Sequence, residues 1–287
     1  MLRALGHDGN AVMISRFASS LAAVAVLAVA AAPSAAQPAP NAATPESCPG
    51  LVAADTPRLM PAAFRKTALA LDEVRITFLG HSTFLIESPK LVRIATDYND
   101  YVRPPVVPDI VTMNRAHTTH YTDRPEAGIR YVLRGWREDG SPAAHDLAYQ
   151  DVRVRSVATN IRGWGGGTER HGNSIFIFEV GSLCIAHLGH LHHTLTPQQL
   201  TEIGRIDVVL VPVDGSFTLD LDGMIEVLQA LKAPLMIPMH YFSMSTLSRF
   251  LERVRETYPV EYAETPSIVM SRARLPATPK FLVLPGR

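Results

Sequence analysis

Apolar positions along the chain fall into two kinds of run. Short β-prone runs recur at 74–79, 83–86, 91–95, 109–113, 129–133 and 152–157. The first two are separated by Gly80-His81 and the second ends at Ser88-Pro89, as paired strands do. Runs at 174–180 and 183–186 flank Gly181 and predict a hairpin. Helical spacing appears later. Thr196-Pro197 reads as a cap followed by proline at the first helical position, and 221–231 is a second helix. Ser245 is read as the cap of a third over 246–258, with Leu247, Phe250, Leu251 and Val254 on one stripe. Between the last two, 235–239 predicts a short buried strand ending at His240. Strands and helices mixed through both halves predict a layered α/β fold.

The N-terminus has a different pattern. Arg16 precedes an apolar stretch rich in Ala, Val and Leu, which gives way to Pro33-Ser34-Ala35-Ala36. A charged start, an apolar segment and a small-residue exit predict a cleaved signal peptide at 1–36, with Met13 as an alternative start. An uncleaved membrane anchor is the competing reading of the same run. Residues 37–70 read as a linker or N-terminal extension, rich in Pro and Ala at first, and 71–287 as the folded domain. The expected location is the periplasm or the outside of the cell, with no stable membrane association after cleavage.

Composition narrows the class. The chain has 287 residues, 27 basic against 27 acidic side chains and no Lys/Arg run, which excludes an ordinary nucleic-acid binder. Its two cysteines, Cys48 and Cys184, are too few for a disulfide framework or a Cys-based zinc module. Cys184 sits in an apolar run and reads as a small buried hydrophobe, with a single disulfide as the alternative. No serine lies in a Gly-x-Ser-x-Gly elbow, and Gly165-Gly166-Gly167 lacks the context of a phosphate-binding loop. The segment 161–174 around those glycines reads as a permissive loop, able to cover a pocket or merely to connect.

Histidine carries most of the functional information. Seven of the eleven fall in three windows: His117 and His120; His187, His190, His192 and His193; and His240. Each window follows an apolar strand, so a sheet could deliver all three to one edge. Neutral imidazole is the commonest transition-metal ligand. A single histidine is ordinarily a solvent-exposed or hydrogen-bonded residue; three coincident strand-exit clusters point to a metal site.

The stretches 76–86 (ITFLGHSTFLI), 94–97 (IATD), 109–120 (DIVTMNRAHTTH), 185–195 (IAHLGHLHHTL), 207–213 (DVVLVPV) and 237–240 (IPMH) together resemble the metallo-β-lactamase family. The closest branch is that of the metal-dependent hydrolases similar to L-ascorbate-6-phosphate lactonase. The resemblance implies a four-layer αββα sandwich with a metal site at one edge of two facing sheets, and a small-molecule substrate. It implies His117, His120, His187, His190 and His240 as metal residues, Asp97 as an orienting carboxylate, and His81 and His193 as neighbours of the site. Two positions of the family's His-x-His-x-Asp-His motif are altered, to Arg115 and Thr119, and His190 stands where a bridging aspartate is expected.

These departures carry a charge argument. A ligand set of five imidazoles without carboxylate, beside Arg115, compensates two dications poorly, so one metal is expected rather than two. Imidazole donors favour zinc, with iron as an alternative, over manganese or magnesium. Two readings follow. One is an exported hydrolase using a metal-bound hydroxide on a lactone, ester, amide or phosphoester, with Arg115 or His193 stabilising developing charge. The other is a degenerate, non-hydrolytic metal- or ligand-binding protein on the same fold. Arg115 is equally readable as an anion clamp or a surface arginine.

Overall fold

A computed structural model describes residues 68–163 and 165–286. The predicted leader, nearly all of the predicted linker and Cys48 lie outside the described residues. In chain order the first strands are β1 (Val74–Gly80), β2 (Thr83–Glu87), β3 (Arg93–Ala95), β4 (Ile110–Met113), β5 (Tyr131–Arg134), β6 (Asp146–Tyr149), β7 (Val152–Arg162), β8 (Thr168–Val180) and β9 (Leu183–His187). Then follow α1 (Pro197–Ile203), β10 (Val208–Pro212), α2 (Leu221–Leu231), β11 (Leu235–Met239), α3 (Met244–Val254), β12 (Val260–Tyr262), β13 (Ser267–Met270) and β14 (Lys280–Val283).

The strands form two sheets, one ordered β13-β1-β2-β3-β4-β5 and the other β12-β14-β11-β10-β9-β8-β7-β6. Side-chain alternation explains how they stack. In β8, Phe176, Phe178 and Val180 face the first sheet, while Ile175 and Ile177 face the helices. β9, β10 and β11 alternate in the same way, so both faces of these strands are buried. Their sequences are therefore near-continuous apolar runs, and β9, β10 and β11 pair in parallel. The apolar stripes of α2 and α3 close the outer face of this sheet through Met224, Leu228, Leu247 and Phe250.

The structure has the α/β sandwich architecture expected from the sequence. It differs in its outermost layer: among the described residues no helix covers the outer face of the first sheet. Tyr98 and Trp136, from loops, pack there against Ala95, Val111 and Met113. Large aromatics supply the apolar area that a helix would otherwise bring.

Several element boundaries also shift. The third helix is capped by Ser243 rather than Ser245; the Ser243 Oγ accepts the Thr246 N–H at 3.2 Å. It ends at Val254, four residues short of the expected 258, because Pro259 disfavours helical backbone at Tyr258. The expected loop at 161–174 is mostly ladder: β7 runs to Arg162 and β8 starts at Thr168, leaving a tight turn. Strands β6, β12, β13 and β14 escape a sequence reading because three- or four-residue edge or near-edge strands carry little periodicity. Cys184 is fully buried, as expected.

Candidate metal centre

The site lies where strands of both sheets end. β1 delivers His81, β3 delivers Asp97, the loop after β4 delivers His117 and His120, β10 delivers Asp214, and β11 delivers His240. Three of these residues leave their strands in left-handed backbone: His81 at φ 52°, Asp97 at 41° and His240 at 55°. Such conformations cost about 1–3 kcal/mol each for a non-glycine residue and cluster at functional sites. The His240 N–H donates to the His81 carbonyl at 2.7 Å, tying the two sheets together at this point.

His81, His120 and His240 each turn one ring nitrogen to a common centre, with these atoms within 4.8 Å of one another. Hydrogen bonds fix which nitrogen is free. The His120 Nδ1 donates to the buried Asp97 carboxylate at 2.5 Å, and the His240 Nδ1 donates to Asp214 at 3.0 Å. Neutral rings with protons on Nδ1 keep their lone pairs on Nε2. The two Nε2 atoms lie 3.2 Å apart. Two lone pairs at that separation repel unless a cation lies between them. Two tetrahedral zinc ligands at the usual bond length of about 2.0–2.1 Å stand about 3.3 Å apart, which matches. The His81 Nε2 is buried without a hydrogen-bond partner. Carboxylate-oriented imidazoles with converging free nitrogens are the donor chemistry of a metal site, so these residues fit a bound ion.

Burial sets the electrostatics. It lowers His120 well below the ordinary histidine range, lowers His117, and takes His81 down to about 4. Burial raises Asp97, with His187 and the Asn114 hydrogen bond pulling the other way. Burial also acts to raise Asp214, but His240 and the hydrogen bonds of Thr218 and Ser216 outweigh it and hold this carboxyl well below the usual range. Two buried carboxylates thus stand directly behind the imidazoles, Asp97 behind His120 and Asp214 behind His240.

Residues 75–240 match the family model described as the beta-lactamase superfamily domain. The chain belongs to the beta-lactamase superfamily. Among curated superfamily relatives, it is 26% identical over 199 residues to a UPF0173 metal-dependent hydrolase of Thermoplasma volcanium, covering 59% of this chain and 84% of that one. It is 22% identical over 229 residues to a UPF0173 metal-dependent hydrolase of Methanosarcina mazei, covering 69% and 96%. Among solved structures, a metallo-beta-lactamase superfamily protein of Thermotoga maritima aligns with TM-score 0.56 and 28% identity over 75% of this chain and all of that one. The metallo hydrolase Igni18 of Ignicoccus hospitalis aligns with TM-score 0.50 at 17% identity over 75% of this chain and 97% of that one, a likeness of fold.

The superfamily fold brings together most of the residues picked from the sequence. His117, His120, His190 and His240 form one cluster of rings, His190 lying 4.8 Å from each of the other three. His187 is fully buried nearby, but both its nitrogens are engaged: Nε2 donates to the Ser82 carbonyl at 2.8 Å and Nδ1 accepts the Gly189 N–H at 3.1 Å. Asp97 has the orienting position expected of it. His193 lies further out, its ring 6.5 Å from that of His192. The Arg115 Nε is 3.4 Å from Glu169, and both line a cleft of about 640 Å³ that opens against His117 and His192. Phe217 and Phe242, both largely exposed, stand 5.4 Å apart above the cluster, Phe242 being 5.4 Å from His240.

Asp214 and His192 were missed by the sequence analysis. Asp214 follows β10 after a single residue and is itself followed by Gly215-Ser216, so the strand-exit logic that picked out the histidines also points to it. His192 was seen only as a member of a histidine run, and nothing in its spacing reveals its partner.

Proposed function

We propose that this superfamily member is an exported metal-dependent hydrolase that uses one zinc ion, held by His81, His120 and His240, on a small molecule bearing a lactone, ester, amide or phosphoester. The observation that carries the reading is the pair of carboxylate-backed imidazoles whose Nε2 atoms converge to 3.2 Å. The named hydrolase relatives support the reaction class. The carboxylates of Asp97 and Asp214 would balance one dication and leave a second uncompensated, which supports a single metal. All-imidazole donors support zinc, with iron as the alternative.

Bound there, zinc would supply Lewis-acid activation of water and of the scissile group. The chain's own residues do the rest. Asp97 and Asp214 hold the rings of His120 and His240 in one tautomer and one orientation. His117, lining the cleft, faces the substrate side. Phe217 and Phe242 offer an apolar rim, suited to a substrate with an apolar part. The retained buried His–Asp pairs argue against the degenerate, non-hydrolytic alternative, because such pairs are costly to bury without a role.

The predicted signal peptide is the basis for proposing a periplasmic or secreted location. Among the described residues no helix is long and apolar enough to cross a membrane. The test is elemental analysis of protein purified without a His-tag, paired with turnover of generic lactone and phosphodiester substrates. About one zinc or iron per chain, with activity lost to chelator and in His240→Ala, is expected. Absence of metal after reloading at micromolar zinc overturns the reading.

A further inference from the structure

His190 stands among the rings of the centre, where the superfamily resemblance leads one to expect an aspartate that binds metal. Its hydrogen bonds dictate a different role. The backbone N–H of Arg162 points at the His192 Nδ1 at 2.5 Å. A backbone N–H can only donate, so the His192 Nδ1 is the acceptor and the proton of that neutral ring sits on Nε2. The His192 Nε2 lies 2.5 Å from the His190 Nδ1. His192 therefore donates, His190 Nδ1 accepts, and the proton of His190 is forced onto its own Nε2.

The arrangement is rigidly held at both ends. Arg162 is anchored by its guanidinium, whose Nη2 donates to the carbonyls of Ser216, Phe217 and Thr218 at 2.7–3.0 Å. The backbone of His190 is fixed by its N–H, which donates to the buried Asn173 Oδ1 at 2.8 Å. The His190 Nε2, on the ring edge away from Nδ1, is buried and has no hydrogen-bond partner. A buried N–H without an acceptor costs about 1–3 kcal/mol and calls for an explanation.

We propose that His190 is an N–H donor to an oxyanion or anionic oxygen of the substrate and is not a metal ligand, its tautomer being imposed by the relay from the Arg162 backbone through His192. A ring with its proton on Nε2 and its Nδ1 lone pair taken by His192 has none left for a metal. The donor sits 4.8 Å, ring to ring, from both His120 and His240, and the next ring outward, His192, lines the cleft. It thus stands between the cleft and the paired nitrogens, where an acyl or phosphoryl oxygen of a bound substrate would lie. This rests on the proposed metal centre for its catalytic use, but the tautomer itself does not.

Nitrogen-15 NMR of histidine-labelled protein, with and without zinc, reads the tautomer directly. The expected result is His190 protonated on Nε2 in both samples, while zinc moves the Nε2 signals of His120 and His240. Zinc affinity measured against a competing chelator is expected to stay within about threefold of wild type in His190→Gln and His190→Ala and to fall more than about 100-fold in His240→Ala. In an ester assay His190→Ala should lose about 10²–10³ in kcat, with His190→Gln, which keeps an N–H, partly rescued. Replacing His192 by Phe removes the relay and should let His190 populate the other tautomer. A His190 Nε2 that is unprotonated or shifts on zinc binding overturns the proposal, as does loss of zinc affinity in His190→Gln matching that in His240→Ala. If wild-type protein binds no zinc, the metal centre falls, and the metal-free spectrum still decides the tautomer.

Discussion

Replacing Asp214 by asparagine removes one charge and turns one of its two acceptor oxygens into a donor, and the consequence propagates through one imidazole. Asp214 Oδ2 accepts the backbone N–H groups of Ser216 at 3.0 Å, Phe217 at 2.6 Å and Thr218 at 3.3 Å. Its Oδ1 accepts from the Thr218 hydroxyl at 2.5 Å and from His240 Nδ1 at 3.0 Å. Three backbone donors can only be met by oxygen, so the asparagine must place its amide oxygen at the Oδ2 position and its NH₂ at the other. The NH₂ then faces His240 Nδ1, which has to become an acceptor, and the His240 proton moves to Nε2. There it points at the His120 Nε2, 3.2 Å away, and fills the gap with an N–H···N bond. Loss of an orienting carboxylate costs about 10–100-fold in metal affinity, or about 1.4–2.7 kcal/mol. Losing the compensating charge adds to this, so a fall of at least 100-fold in zinc affinity is expected. Thermal stability of the metal-free protein should fall by only about 1–3 kcal/mol, since charge-assisted bonds become neutral ones while the new His–His bond offsets part. Chelator competition for zinc and denaturant unfolding of the apoprotein separate the two effects. Zinc affinity within about threefold of wild type would refute the tautomer argument.

Acidification of the metal-free protein should destabilise it between about pH 6.5 and 4. Burial holds His81 and His192 at about 4 in the folded state against 6.5, so the unfolded chain takes up protons first and stability drops as pH falls through that window. His120 and His190 act in the same sense, Asp97 in the opposite one, and urea unfolding at several pH values reads the sum. Gly189→Ala should destabilise by at least about 1–3 kcal/mol, because φ is +61° and a Cβ would lie 2.3 Å from Asn173 Oδ1; a neutral result in denaturant melts would contradict the packing. His187→Gln should change zinc affinity less than about tenfold, since both nitrogens of His187 already bond to backbone; a loss comparable to that of His240→Ala would make it a ligand after all. Phe242→Ala should raise KM for an aromatic ester about 2–10-fold and leave that for acetate esters unchanged, in steady-state kinetics.

Left-handed backbone at His81, Asp97 and His240 links fold to site. Each of these residues comes one or two positions after a strand whose apolar side chains are locked between layers. The core therefore holds the strain, and the side chains are aimed before any ion binds. Preorganisation of this kind lowers the cost of ordering the ligands at binding.

The sequence by itself determined the buried strands and the residue types of the centre. Strands β8 to β11 are legible because both faces are apolar, so hydrophobic runs of four to seven residues survive any register. The histidine windows are legible because each follows such a run. What only tertiary structure decided is which nitrogen of each ring is free. His187 and His240 look alike in sequence, each at the end of a buried parallel strand. One meets the Ser82 carbonyl and the other meets Asp214, partners 105 and 26 residues away, and this alone leaves the first with both nitrogens engaged and the second with Nε2 turned to the centre. The same holds for His190, whose proton is placed by a backbone N–H 28 residues earlier in the chain through an intervening ring. Tautomers are set by hydrogen-bond partners, and partners across sheets carry no signal in local spacing.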